Sequence, residues 1–456
     1  MEPEDDPQQL SSLRRWLSVF TISLASTCVT CASSAASFTE KGVASEFHVS
    51  QEVTILSISL FVLGLGLGPL VVGPLSEVYG RNIIYRISFL GFFAFTWPIA
   101  FAPNIAVYLI FRFVTGLFGA AFLSVAGGSI SDLFPSNKVA TPMSLYTLTP
   151  FMGPEIGPLF SGFINQNTDW RWTYYVFLIW SFLQTVALFT IIPETFGPVI
   201  LKHKAQRLRK TTGDLNYYAP IERTNKSLLH ALTVSCYTPF QLIIYDRMAL
   251  LLNLWTALIL GIIYLTFQAF PIVFETGHGF NTQTTGLTFL GLALGLFLGL
   301  STQPYWNGRS RKYREAHGNY PPEEILRIGQ IGGILVPIGL FWLAFTTYPH
   351  VHWIVPIIAS VPFGMGTYFI FTSVFTYLVV AYRPIAASAM ASNSFMRSCF
   401  AAGFPLFATA MYHRLGTVGA TALLAGLTTV MAPLPFIFYR IGGRLRHNSR
   451  FGTKNI

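Results

Sequence analysis

Apolar residues in this chain come in long, almost unbroken runs separated by short polar breaks. A helix that crosses the hydrocarbon core of a bilayer needs about 20 mostly apolar residues. Runs of that kind occupy 16–38, 52–74, 83–102, 106–131, 139–165 and 171–193, and then 248–274, 284–305, 326–347, 353–380, 384–412 and 416–439. Only Ala102-Pro103-Asn104 parts the third run from the fourth, which reads as two helices and a tight turn. The pattern predicts an all-α integral membrane protein with twelve transmembrane helices in two six-helix bundles, 16–193 and 248–439. Segment 1–15 precedes them, a basic linker (194–247) joins them, and a basic tail (440–456) follows.

Composition supports lipid as the solvent. Of 456 residues 52% are hydrophobic and 11% charged, where a soluble domain carries about 25% charged residues. The net charge of +10 would suggest nucleic-acid binding in a soluble protein. Here the cations gather in loops on one side, as they do in cytoplasmic loops, so no nucleic-acid partner is expected. The linker supplies Lys202, Lys204, Arg207, Arg209, Lys210, Arg223 and Lys226. The loop after the eighth run supplies Arg309, Arg311, Lys312 and Arg314, and the tail Arg440, Arg444, Arg446, Arg450 and Lys454. Lys41, Arg171 and Arg414 fall outside this pattern, and Arg112 and Arg397 lie within runs. Both termini are therefore expected in the cytoplasm, in a multi-pass protein of the plasma membrane or of a vacuolar or vesicle membrane.

The start is acidic (Glu2, Glu4, Asp5, Asp6), then basic (Arg14, Arg15), with no cleavage site, and reads as a retained signal anchor. The triplet Asn225-Lys226-Ser227 falls on the cytoplasmic side and should stay unglycosylated. Four cysteines form neither a disulfide framework nor a zinc spacing, and no metal site is expected.

The second run ends Gly64-x3-Gly68, then Gly73-Pro74-Leu75-Ser76-Glu77-Val78-Tyr79-Gly80-Arg81. The eighth echoes it with Gly291-x3-Gly295-x3-Gly299, then Gln303 where the acid stood, and Gly308-Arg309. Small residues at this spacing let two helix backbones approach closely in lipid. Gly80 permits a turn with positive φ. Farther on come Arg112-x3-Gly116-x2-Gly119 and Gly153-Pro154-Glu155-Ile156-Gly157-Pro158.

These motifs, in this order, resemble the major facilitator superfamily, in particular the fungal drug:proton antiporters. Asp169-Trp170-Arg171-Trp172, Pro193-Glu194-Thr195 and the Phe404-Pro405-Leu406-Phe407 stretch fit the same branch. The resemblance implies that Gly73, Glu77, Gly80, Arg81 and Asp132 form a gating motif whose charges latch the cytoplasmic gate. It also implies that Gly153, Pro154, Gly157 and Pro158 form an antiporter kink in the fifth helix, packed against the eighth. The Gly291/Gly295/Gly299 face is its expected partner.

Ionisable residues inside spans default to function. Arg112, Glu155 and Arg397 are such residues. Two readings stand for Glu155: it binds the coupling proton or the substrate, or it is a fixed partner of Arg112 or Arg397. Arg112 is expected to anchor the polar first helix, rich in Ser23, Ser26, Thr27, Thr30, Ser33 and Ser34. Tyr264, Gln268, Phe274, Tyr368 and Phe371 are candidate cavity-lining residues.

No H-E-x-x-H, nucleophile elbow or phosphate-binding loop occurs, so neither an enzyme nor an ATP-driven pump is expected. The leading reading is an exporter of small amphipathic organic compounds, drugs or secondary metabolites, driven by protons. It would need no cofactor and act as a monomer in the lipid bilayer. The alternatives are a facilitator or importer of a polyamine, vitamin or sugar in the same superfamily, and, more remotely, a receptor.

Overall fold

A computed structural model describes residues 6–135, 138–214, 216–223, 228–318 and 321–451. Glu2, Glu4, Asp5, the Asn225 triplet and Lys454 lie outside the described residues. Among the described residues, ten segments are long and apolar enough to cross a membrane. The last, Ala386–His447, spans 62 residues, but Gly416 sits inside it at φ 72° and ψ 168°. That left-handed residue, which glycine adopts without steric cost, parts two helices. Ala140–Asn167 is less apolar, with three prolines and Glu155, and completes twelve crossings.

In the first half the crossings are α1 (Ser12–Ser34, continued by a 3-10 turn Ala35–Thr39 and Glu40–Phe47), α2 (Gln51–Tyr79) and α3 (Arg81–Ala100). Then come α4 (Ile105–Leu133, with breaks after Gly119 and Ser124), α5 (Ala140–Asn167) and α6 (Arg171–Ile191). The second half has α7 (Arg247–Phe270, continued by a π-helical turn Pro271–Thr276) and α8 (Thr282–Thr288 with Leu290–Ser301). It ends with α9 (Leu326–Ala344), α10 (Ile354–Ala381), α11 (386–415) and α12 (417–431, continued by Leu434–Asn448). An even number of crossings puts both chain ends on one face, called here the terminal face.

The segment read as a basic linker holds two helices of opposite character. Gly197–Thr212 carries the cations, and Arg209 pairs with Glu222 at 2.5 Å. Leu228–Tyr245 is uncharged and packs beside α2 and α11, with Phe240 meeting Phe395 edge-on at 5.1 Å. Likewise the tail is not loose: Arg446 is buried and donates to Glu323 at 3.2 Å.

Small residues set the spacing of the helices. A side chain at Gly64 would run into the Phe113 carbonyl at 2.5 Å, so α2 lies directly on α4. The Gly291/Gly295/Gly299 face lies on α10, against Ile357, Val361 and Tyr368, and not on α5 as expected. α5 packs along both segments of α8 by other positions, and its closest glycine contact is Gly286 against the Pro158 carbonyl. The reason is steric. The glycine stripe is wide enough for one neighbour, and α10 within the same half takes it.

Candidate functional site

The two halves meet along α1–α7, α2–α11, α5–α8 and α5–α10. On α2, Ser59 donates to the Ala402 carbonyl at 2.6 Å. Phe151 of α5 stacks on Phe371 of α10, with ring centres 4.4 Å apart and planes 20° apart. Ser33 of α1 and Tyr264 of α7 share a hydrogen bond of 2.7 Å. At the face opposite the termini, Gln268 donates to Glu40 at 2.6 Å, Lys41 pairs with Glu275 at 2.5 Å, and the Thr282 amide donates to Gln166 at 3.1 Å. That end is thus closed by polar links between the halves.

The buried charges gather at mid-depth. Arg112 (1% exposed) donates to the carbonyls of Ala32 on α1, at 2.9 Å, and Ser57 on α2, at 3.1 Å. Its guanidinium lies over the Phe61 ring at 4.3 Å. This bears on the expected anchoring of the first helix, because the acceptors are α1 and α2 backbone and not the α1 hydroxyls. Arg397 lies over Phe375 at 4.7 Å and Phe371 at 5.5 Å. Glu155 is 2% exposed, and its Oε2 has no hydrogen-bond partner. Among the described residues, no ion pair joins Glu155 to Arg112 or Arg397. The fixed pair considered from sequence is therefore absent. The Tyr264 hydroxyl lies within electrostatic reach of all three.

Further polar atoms on these helices are buried without partners: Arg112 Nη2, Arg397 Nε, and the hydroxyls of Ser23, Ser26, Ser57 and Thr115. Stranded polar atoms are costly in a membrane interior. Buried polar groups without a partner call for an explanation, such as water or a ligand group.

Glu155 stands on α5 between Pro154 and Pro158. Pro154 and Pro158 remove two backbone donors from the helix ladder. Gly153 and Gly157 turn toward α1, where added side chains would strike Cys31 N at 2.9 Å and Cys31 O at 2.7 Å. Ser161 clamps the same contact by donating to Ala35 O at 2.7 Å. Gly153 and Gly157 therefore face α1, whereas Pro158 and Gly162 meet α8.

Of the five candidate cavity residues, three reach the interface: Tyr264, Gln268 and Phe371. Phe274 instead borders a small apolar pocket of about 10 Å³ inside the second half, lined also by Phe270, Leu340 and Tyr412 and by no charged residue. Tyr368 packs against Gly299 and donates to Gln303 at 3.3 Å, also within that half.

At the terminal face Gly80 adopts φ 98° between α2 and α3. Arg81 Nε donates to Asp132 at 2.6 Å. Gly73 lies on α2 with open space where a side chain would stand. Glu77 is exposed and forms no ion pair with Arg81. The acid that completes the cluster is Glu194, which accepts the amides of Arg81 (3.0 Å), Asn82 (3.1 Å), Thr195 (3.0 Å) and Phe196 (2.9 Å). Both Arg81 and Asp132 belong to the first half.

Sequence reasoning missed Glu40 and the cap formed by Glu194. Glu40 stands two residues past the predicted end of the first run, and only continued helical periodicity to Phe47 could have included it. Glu194 was visible as part of a motif, but two of its partners, the Arg81 and Asn82 amides, lie more than a hundred residues away.

The model of the Major Facilitator Superfamily matches residues 22–405. An efflux pump of Aspergillus terreus, atB, is 50% identical over 394 residues, covering 85% of this chain and 83% of that one. The probable drug/proton antiporter YHK8 of Saccharomyces cerevisiae is 40% identical over 454 residues, 99% and 88% of the two chains. The efflux pump FUB11 of Gibberella moniliformis is 37% identical over 457 residues, 99% and 77% of the two. Among solved structures, the xylose transporter XylE of E. coli in a partially occluded inward-open conformation superimposes with a TM-score of 0.68 at 16% identity, over 94% of this chain and 98% of that one. The human organic anion transporter MFSD10 superimposes with a TM-score of 0.63 at 14% identity, over 93% and 100%. Twelve crossings in two halves and a family match along most of the chain agree: this protein belongs to the Major Facilitator Superfamily and is a secondary transporter.

Proposed function

We propose that the chain exports amphipathic organic compounds in exchange for protons, by alternating access around Arg112, Glu155, Tyr264 and Arg397. The observation that carries this reading is Glu155: a carboxyl group enclosed at mid-depth, with one oxygen unpartnered and no cation bonded to it. Such a group takes up and releases a proton as its surroundings open and close. The efflux pumps and the drug/proton antiporter among the relatives support the direction and the coupling.

The apolar surroundings suit a drug-sized, mostly hydrophobic substrate with few polar groups. Phe151, Phe371 and Phe375 supply ring faces, and Arg112 and Arg397 supply unfilled donors. With both termini in the cytoplasm of a plasma-membrane protein, the polar links at the opposite face hold the outer side shut. The Arg81–Asp132 pair then stands at the inner end, where it tunes the inner gate. Protons supply the driving force without a cofactor, and a single chain contains every residue named.

The test is Glu155→Gln in proteoliposomes carrying a fluorescent lipophilic dye, with and without an imposed proton gradient. The expected result is dye flux that no longer responds to the gradient, with the protein still folded. Unchanged gradient-driven dye flux in Glu155→Gln would sink the reading.

A further inference from the structure

Two carboxyl groups are enclosed between the interface helices, Glu155 and Glu40 (3% exposed), and the exchange cycle above uses only the first. Glu40 accepts from Nε2 of Gln268 on α7 at 2.6 Å, and the Gln51 side chain on α2 is near it. Among the described residues it has no ion-pair partner. Its neighbour Lys41 is 70% exposed and turns instead to Glu275. The other polar and titratable groups around it are Glu275 on α7 and Tyr174 of α6, which reaches Thr39. Glu46 of the same short helix is engaged by Arg171 and Trp170.

Both helices leave α-geometry at this level. α1 passes through the 3-10 turn Ala35–Thr39 just before Glu40, and α7 through the π-helical turn Pro271–Thr276 just after Gln268. Departures of this kind mark hinges. An amide is also an unusual partner for an enclosed acid, since it serves either protonation state. Its NH2 donates to a carboxylate, and its carbonyl, once turned over, accepts from a carboxyl O–H. Enclosing a neutral acid costs far less than enclosing a carboxylate that lacks a cation.

We propose that Glu40 is a second proton-binding group, whose protonation is the condition for α1 and α7 to close on each other at the face opposite the termini. The proposal rests on the alternating-access reading above. With that end open, Glu40 meets water and is ionised. A proton from that side neutralises it, the neutral side chain is enclosed against Gln268, and the Lys41–Glu275 pair closes over it. When the end reopens, the same proton returns to the same side. Glu40 therefore times closure, while Glu155 carries the exchanged proton.

The experiment places spin labels at Ser45→Cys and Thr276→Cys, exposed positions on the two joined segments, in the full chain in nanodiscs with Cys236→Ser. Label distances are measured in acidic and alkaline buffer. The unmodified gate is expected to give one short distance in acid and a growing longer population in alkali. Glu40→Gln should give the short distance in both, and Gln268→Leu should show the longer population in both. Glu40→Asp, which keeps the carboxyl group, should retain the pH response and so reports that the region is folded. A pH response persisting in Glu40→Gln, or absent from the unmodified gate, overturns the proposal. Proton exchange is read separately, by a pH-sensitive dye inside dye-exporting proteoliposomes. Its absence counts against the exchange cycle and not against the clasp, which the label distances decide.

Discussion

Arg112 Nη1 stands 2.9 Å from the carbonyl oxygen of Ala32, so a cation of α4 is tied to the backbone of α1 three residues before the 3-10 turn Ala35–Thr39 begins. The second donor, Nε, goes to Ser57 O at 3.1 Å. One planar guanidinium thus fixes three helices, with Phe61 beneath it. A lysine has one nitrogen and cannot reach both carbonyls in that geometry. Arg112→Lys is expected to destabilise the protein by about 1.5–3 kcal/mol, the range for a lost hydrogen bond to a charged group. Thermal unfolding in detergent checks this. A melting temperature equal to that of the parent would mean that the two bonds carry no stability.

The acids near Arg81 should differ sharply in importance. Glu194 accepts four backbone amides and caps α3, so Glu194→Ala should cost about 1–2 kcal/mol, the range of a lost helix cap. Asp132→Ala strands Arg81 and should cost about 1–3 kcal/mol. Glu77 is exposed, and Glu77→Ala should stay within about 0.5 kcal/mol of the parent. Equal losses for Glu77→Ala and Glu194→Ala in the same unfolding assay would reverse this ranking.

Glycines in the kink and outside it should also separate. Gly157→Ala would force a methyl group against the Cys31 carbonyl and the Ala35 amide, which are backbone and cannot swing away. The expected loss is about 1–3 kcal/mol, with reduced export. Gly403→Ala on α11 meets open space and should be neutral or stabilising by up to about 1 kcal/mol, as alanine favours the helix. Parallel unfolding and dye-export measurements on the two variants decide the matter.

In the linker, the Ala219 amide and then Arg209 hold the Glu222 carboxyl group below its ordinary range. A depressed carboxyl contributes stability that is present above its unfolded value and lost as pH falls through its folded value. The tie between Gly197–Thr212 and the Pro220–Arg223 turn should therefore hold at neutral pH and loosen only in acid. Hydrogen exchange over 197–223 is expected to rise as pH is lowered below the carboxylate range, after correction for the intrinsic rate. In Glu222→Gln the exchange should be raised at neutral pH as well. Flat corrected exchange in the parent would exclude the effect.

The hydrophobic pattern by itself determined most of the fold. Runs of about twenty apolar residues can satisfy their backbone only as helices in lipid, and the break after 193 divides them into two sets. Charge and glycine motifs pointed to Arg112, Glu155 and Arg397 because an ionisable residue inside such a run has no cheap reason to be there. The apolar stretch 228–245 was legible too, but its place between polar segments concealed it.

What only the tertiary structure decided is who meets whom. Sequence periodicity gives the face of a helix and not its neighbour. The stripe Gly291/Gly295/Gly299 could have served α5, yet it serves α10, because neighbours within one half take the closest approach. Glu155 might have paired with either arginine, yet carbonyl oxygens and ring faces take Arg112, and ring faces take Arg397. That leaves the acid without a cation. Glu40 fell outside the predicted first run, and only the fold sets Gln268 against it across 228 residues of chain. An isolated helix cannot encode whether its charge will find a partner, since that free energy belongs to the space between helices.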